Sequence, residues 1–367
     1  MRYLFGFMCV LALAVMSLGG CGDTNVTVYC GTDGTGGSGG AGGGGAQEFP
    51  CTEQGILDAI AEGGGPHTFD CDGAQRVTTE AEIAIDNNVI LDGEGNLTVD
   101  GDDDHRVFSV AEGATAELRG LVVTKGRSEG DDIGSAISNE GALTLVDSEV
   151  VENDGTPLGN GAGRSMTLVR TTVSRNSVGG IFNGDGSLAV IDSTVSDNGG
   201  IEAGISVDGD EASVVLTNST VSGNASGISA SGSALTLVNS TVRGDVGNPS
   251  ADGTLNATGS IIVGACVDML VTSNGYNIES PGDTCGFNQT GDQSEVTEAE
   301  LNLGPLQNNG GPTETHALGA GSVAIDQIPL EDCVDADGEP LTTDQRGEPR
   351  PETGGTMCDV GAFEVQP

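Results

Sequence analysis

The sequence predicts an all-β chain: a parallel β-helix solenoid with a short N-terminal capping helix. Three observations carry that prediction. First, one phrase recurs between Ala136 and Val263: an apolar run, then Asp, Asn or Arg, then Ser or Thr, any residue, and Val or Ile. It reads Leu143-Thr144-Leu145-Val146-Asp147-Ser148-Glu149-Val150, and returns ending at Val173, Val195, Val221, Val242 and, more weakly, Ile262. The copies stand roughly 20–26 residues apart, an uneven period that marks a solenoid whose coils carry loop insertions. Second, each period holds β-branched residues, small residues and Gly/Asn turns, with no apolar spacing of the helical kind. Third, aromatic residues make up only 3% and Trp is absent, while Gly reaches 62 of 367 residues. Narrow coils filled with Val, Leu, Ile and Ala need no large aromatic core.

Within such a coil the short strands stack on those above and below, about 4.8 Å apart. Leu143, Leu145, Val173, Val195, Val221 and Leu237 are the expected inward column. Asn176, Asn198 and Asn224 each follow their Val by three residues, so they are expected to form an Asn ladder at one corner. Stacked amides hydrogen-bond one another, and Asn tolerates the left-handed backbone of a corner. A β-sandwich with accidentally similar strands would not keep one phrase at this spacing.

The N-terminal half of the chain supplies the other elements in order. Arg2 precedes an uncharged apolar run from Tyr3 to Leu18, too short to span a bilayer comfortably and laid out as an export signal over residues 1–20. Residues 21–46 read as a flexible Gly-rich tether; no Lys-Ser/Thr follows the glycines, so it is no phosphate loop. From Thr52 a short amphipathic helix is expected, with Thr as N-cap, Ile56, Leu57, Ile60 and Ala61 on one face, and Gly63-Gly64-Gly65 as the stop. Such a helix would cover the open edges of the first coil. The β-helix is assigned to residues 47–265, and residues 266–367 to terminal coils with a C-terminal segment. About 12 coils, a rod of about 60 Å, follow from the strand spacing.

Charge limits function. Twelve basic residues stand against 55 acidic ones, for a net charge of −43, and Lys125 is the only lysine. Such a surface repels phosphate backbones and excludes nucleic-acid binding. It also disfavours anionic lipid or anionic polysaccharide unless a cation bridges. The plain reading is solubility; the sharper one is calcium.

Nine cysteines are present. Cys9 lies in the export signal and Cys21 just after it. Sequence neighbours suggest the pairs Cys51–Cys71, Cys266–Cys285 and Cys333–Cys358, as an exported chain should be oxidised. Cys30 is left over, and no CxxC spacing points to zinc.

Several stretches resemble known families. Leu18-Gly19-Gly20-Cys21 resembles the lipobox of bacterial lipoproteins. That resemblance implies cleavage before Cys21, its acylation, and, with Gly22 rather than Asp following, an outer-membrane location facing the cell surface. The stretch from Cys51 to Val123, with Phe69-Asp70-Cys71, Leu91-Asp92-Gly93 and Leu118-Arg119-Gly120-Leu121, is similar to the opening of pectate-lyase-like right-handed β-helix proteins. Right-handedness also follows from the crossover rule for parallel strands. The copies over 136–262 resemble repeats of polymorphic outer-membrane-type proteins. Leu303-Gly304-Pro305 through Leu318, Asp344-Gln345-Arg346-Gly347 and Cys358-Asp359-Val360-Gly361-Ala362-Phe363-Glu364 resemble the choice-of-anchor Q domain.

The pectate-lyase resemblance implies calcium held by clustered aspartates and an Arg base. Calcium candidates are Asp100, Asp102 and Asp104 in one Gly-containing turn, and Asp131 and Asp132 in another. Gly130-Asp131-Asp132 faintly resembles the paired aspartates of polygalacturonases, whose Gly-His-Gly and Arg-Ile-Lys elements are absent. No catalytic residue is assigned: of the three histidines, His67, His105 and His316, His105 reads as a loop residue and His316 as structural, and Asp344 with Arg346 as a pair that orients a turn. The expectation is a lipid-anchored surface β-helix that contacts glycan or matrix without catalysis. The competing expectations are a calcium-dependent polysaccharide lyase or glycoside hydrolase, and a plain spacer.

Overall fold

The computed structural model describes residues 45–128, 133–247 and 253–367. The export signal, Cys21, Cys30 and nearly all of the tether lie outside the described residues, as do Asp131 and Asp132. Each coil makes three short strands and so builds three walls. The first two walls meet at a sharp corner and form a 19-stranded sheet; the third is a separate nine-stranded sheet. Within the walls every strand pairing is parallel.

Register explains the core. In the first wall Leu145, Leu168, Val190, Leu216, Leu237 and Ala257 lie opposite one another in turn, each with no exposed surface. In the second wall Val123, Val150, Val173, Val195, Val221, Val242 and Ile262 do the same. Phe108, Ile137, Leu158, Ile181, Ile205, Ile228 and Val246 form the column of the third. All six residues expected inward are buried.

The corners account for the recurring phrase. Asp147, Arg170, Asp192, Asn218, Asn239 and Gly259 turn the chain from first to second wall with φ between 45° and 56°. Gly, Asn and Asp meet that conformation at least cost. Arg170 holds it with two hydrogen bonds to Asp147, of 2.6 and 2.8 Å. The next residue in each copy is the Ser or Thr. Ser193, Ser219, Ser240 and Ser260 each accept the backbone N–H of the corresponding residue one coil earlier, at 3.0–3.2 Å. The hydroxyl therefore satisfies a buried donor that the corner has taken out of the ladder.

The Asn ladder stands at the corner between second and third walls, one rung longer than expected. Asn153 donates to Asn176 at 2.9 Å, Asn176 to Asn198 at 2.8 Å, and Asn198 to Asn224 at 3.0 Å. A second ladder, Asn139 to Asn160 to Asn183, stands at the opening of the first wall. Asn176 also accepts the backbone N–H of Asn153 and donates to the carbonyls of Val150 and Ser174. Asn176→Ala leaves buried groups unpaired on both sides, so it should cost about 2–3 kcal/mol. Urea denaturation checks this; a loss under about 0.5 kcal/mol would show that the rungs are decorative.

The capping helix runs Glu53–Glu62, with Thr52 Oγ1 accepting from Gly55 N at 3.1 Å and Gly63 ending it at φ 68°. Its buried face is Gly55, Ile56, Ala59 and Ile60. Leu57 is 38% exposed and Ala61 is exposed too, so the expected face is corrected by one position in each turn. Inward positions follow the i, i+3, i+4 spacing. Gly55 is required there: a Cβ would stand 2.0 Å from the carbonyl oxygen of Pro50, where the helix presses on the first strand, Glu48–Pro50.

The estimate of about 12 coils is too high, because the third wall holds nine strands among the described residues. After Ser280 the chain leaves the helical path and returns along the outside of the second wall. Thr194 Oγ1 donates to Glu314 O at 2.6 Å, Asn218 Nδ2 to Thr343 O at 2.8 Å, and Asn239 Nδ2 to Val334 O at 3.2 Å. Gln345 joins Thr194 to Thr220, at 2.8 and 2.6 Å. Outward residues of the second wall are consequently buried, Thr194 and Thr220 at 0% and Thr241 at 2% exposure. The three disulfides are those expected: Cys51–Cys71, Cys266–Cys285 and Cys333–Cys358. The last staples the return segment.

Candidate binding cleft

The second wall is covered, and two hollows lie on the third. Its outward column reads Ser109, Ser138, Gly159, Phe182, Ser206, Ser229 in register. One large side chain among serines and a glycine stands proud of the wall, and two hollows form beside it. The larger, about 620 Å³, is lined by Arg127, Asp154, Val178, Phe182 and Glu202 among others. The smaller, about 410 Å³, is lined by Arg106, Glu140, Gly159 and Phe182. Ile133 lines both. The larger has the volume of a small-ligand site.

Charge is distributed unevenly around the hollows. Arg106 donates through Nε to Gly134 O at 2.7 Å and through Nη2 to Ile133 O at 3.3 Å, and it meets Glu82 at 3.3 Å. Arg127 Nε lies 3.6 Å from Asp154 Oδ2, and Asp154 Oδ1 accepts from Ser177 Oγ at 2.9 Å. Glu140 lies 3.6 Å from Arg164 Nε. Glu202 is exposed at the rim, beside Ile201, whose side chain is 92% exposed.

The described calcium candidates, Asp100, Asp102 and Asp104, share one turn. Asp100 is 8% exposed and already engaged: its Oδ2 meets Arg76 Nη1, and its Oδ1 accepts from Asp102 N at 2.8 Å. Asp102 and Asp104 point into solvent, and Asp103 lies 3.9 Å from Lys125. Among the described residues no group of three or more His, Cys, Asp or Glu side chains is arranged to hold a metal. A turn rich in Asp forms here for backbone reasons, with Asp102 and Asp103 both at φ 57°.

All three histidines have hydrogen-bond partners. His67 is fully buried and 3.0 Å from Gly63 O, His105 Nε2 is 2.8 Å from Thr79 Oγ1, and His316 lies between Gly304 O and Ser222 Oγ at 2.7 and 2.8 Å. Desolvation holds the His316 pKa below its usual value. Arg346 does pair with Asp344, at 2.7 and 2.9 Å, and its guanidinium lies 3.7 Å over the ring of Phe363.

Sequence reasoning missed a buried ionisable cluster beneath the return segment. Arg350 and Glu364 are both fully buried, with Nε 3.2 Å from Oε2. Arg350 also donates to Asn218 Oδ1 at 3.1 Å and Gly361 O at 2.8 Å. Burial pushes Glu364 up to about 7, against the pull of Arg350, and pushes Asp192 up to about 7, against Asn218 and Arg170. Asp359, also raised by burial, accepts from the backbone of Asp326 and Val365. Its only local signal is the density of acids in Cys358–Glu364.

A family model described as "Right handed beta helix region" matches residues 76–279, more than half of the chain. The chain belongs to that family. It forms a right-handed β-helix of about nine turns. Among solved structures, it is similar to the crystal structure of pectate lyase Pel9A at 12% identity and TM-score 0.53, covering 88% of this chain and 97% of that one. A weaker likeness, to the A-module of the Azotobacter vinelandii mannuronan C-5 epimerase AlgE4, has 14% identity and TM-score 0.35 over 70% of this chain and 87% of that one. At 12% identity the likeness to pectate lyase Pel9A is one of fold. No curated protein sequence matches the chain.

Proposed function

We propose that this β-helix is a non-catalytic glycan-contact protein, carried to the bacterial outer membrane and held there by acyl chains on Cys21. The observation that carries the glycan reading is the pair of hollows on the third wall, with Phe182 in the lining of both. An aromatic ring beside backbone and hydroxyl groups suits the alternating apolar and polar faces of a sugar chain. The pectate-lyase-like fold agrees with a polysaccharide as ligand at the level of architecture. The lipid anchor rests on Leu18-Gly19-Gly20-Cys21, and the Gly-rich tether would hold the coils off the membrane. The choice-of-anchor-Q-like segment is, on this reading, the return strap over the second wall.

The test incubates the oxidised chain, with and without calcium, with plant, algal and bacterial polysaccharides, following retention and the appearance of unsaturated or reducing ends. Retention without product, abolished by Phe182→Ala, is expected. Calcium-dependent product would instead establish the second reading, a polysaccharide lyase or hydrolase, and silence in both assays would leave a spacer. Radiolabelled palmitate in an expressing bacterium should label the wild type and not Cys21→Ser; equal labelling of both would remove the anchor.

A further inference from the structure

We infer that the larger cleft takes a cationic glycan, a chain of sugars carrying free amino groups, and not a polyuronate. The inference rests on the glycan-contact reading above and adds the sign of the ligand's charge. Three observations on the third wall carry it.

The larger cleft has one basic side chain in its lining, Arg127; Arg106 lines the smaller hollow. Arg127 faces Asp154 at 3.6 Å. The two side chains are about equally exposed, 57% and 56%, and their charges offset each other. Glu202, exposed at the rim with no ion pair among the described residues, is left as the net charge of the described lining. In the same lining Phe182 offers an aromatic edge and face that attract a cation as well as the apolar face of a sugar ring. An amino sugar presents both at once, its C–H face to the ring and its ammonium to Glu202, where a charge-assisted hydrogen bond forms. The chain's net charge of −43 adds a long-range term of the same sign, drawing in polycations and repelling polyuronates.

Bulk charge alone would also attract any polycation, so the test must separate the cleft from the field. Calorimetric titration of the oxidised full chain would use the glucosamine hexamer, its N-acetylated counterpart, a galacturonate oligomer and a lysine hexamer. The glucosamine hexamer should bind at least about tenfold tighter than the acetylated one, with affinity falling as salt is raised. Glu202→Gln and Phe182→Ala should each weaken it about tenfold or more, the scale of one charge-assisted or cation–π contact. Glu94→Gln removes the same unit charge from an exposed position in the strand Val89–Asp100 that does not line the cleft, and should leave binding unchanged.

Equal affinity for both glucosamine forms would overturn the charge inference and leave the glycan reading standing. Equal losses in Glu202→Gln and Glu94→Gln would assign the binding to the general field, overturning it too. A lysine hexamer that binds as tightly, with the same loss in Phe182→Ala, would replace the sugar with a basic peptide. Failure of every glycan to bind would sink the glycan reading itself.

Discussion

Arg350→Met should destabilise the protein by about 3–5 kcal/mol, the cost of removing one partner of a fully buried ion pair. Arg350 joins three pieces of chain: Glu364 and Gly361 in the return segment, and Asn218 at a corner of the coil. Without it, Glu364 loses the one positive charge facing it and Asn218 Oδ1 loses its donor. The damage should be local at first. Limited proteolysis should cut within residues 303–365 before any site in the coils, because the return segment lies outside the stacked walls and hangs on a short list of cross-contacts. Urea denaturation of wild type and variant, with disulfides intact, gives the magnitude. A difference below about 1 kcal/mol would mean that the pair adds nothing beyond the packing around it. The double variant Arg350→Met/Glu364→Gln should recover part of the loss, since it removes the stranded carboxyl as well.

The coil was legible in the sequence because its constraints are local and repeat. A corner that needs a left-handed residue selects Asp, Asn or Gly at positions 147, 192, 218, 239 and 259, and the buried donor beside it selects Ser or Thr. Those two demands, laid beside an apolar strand, are the recurring phrase. Three disulfides closed short loops of 19 to 25 residues, so nearest-neighbour pairing found them. The return segment was not legible. Thr194, Thr220 and Thr241 look in sequence like solvent-facing positions of a strand, and their burial depends on residues 120 to 125 positions away. No period links Glu314 or Gln345 to the coils they cover. The cleft was hidden for a similar reason: Phe182 matters because its register partners are Gly159 and Ser206, which is a fact about three coils at once. In the acidic turn at Asp100–Asp104, Arg76 and the backbone amide of Asp102 meet Asp100, contacts that no spacing in the sequence announces.

The same buried cluster should make stability fall as pH rises from about 4 to about 7. Asp192 and Glu364 both have folded-state pKa values raised to about 7, above the ordinary 3.8 and 4.5, with desolvation the leading cause. Between those limits the folded protein holds a proton that the unfolded chain has already released, so the unfolded state binds fewer protons and stability declines with pH. The contribution is whole below the unfolded value, and lost as pH passes through the folded one. A shift of about three units at Asp192 corresponds to about 4 kcal/mol at most, taking 1.36 kcal/mol per unit. Arg170 and Arg350 face Asp192 and limit the shift, while Asp344 adds to it. His316 works the other way: its lowered pKa costs stability as pH falls below 6.5, so the whole-protein curve blends both slopes. A difference measurement isolates the carboxyl. Asp192→Asn keeps a residue suited to the left-handed corner at φ 50° and cannot ionise. It should match wild type near pH 3.5 and exceed it by about 2–4 kcal/mol near pH 8, with most of the divergence accruing between pH 4 and 7. Parallel stability curves for the two proteins across that range would show that Asp192 is ionised throughout, with solvent reaching its carboxylate beneath the return segment.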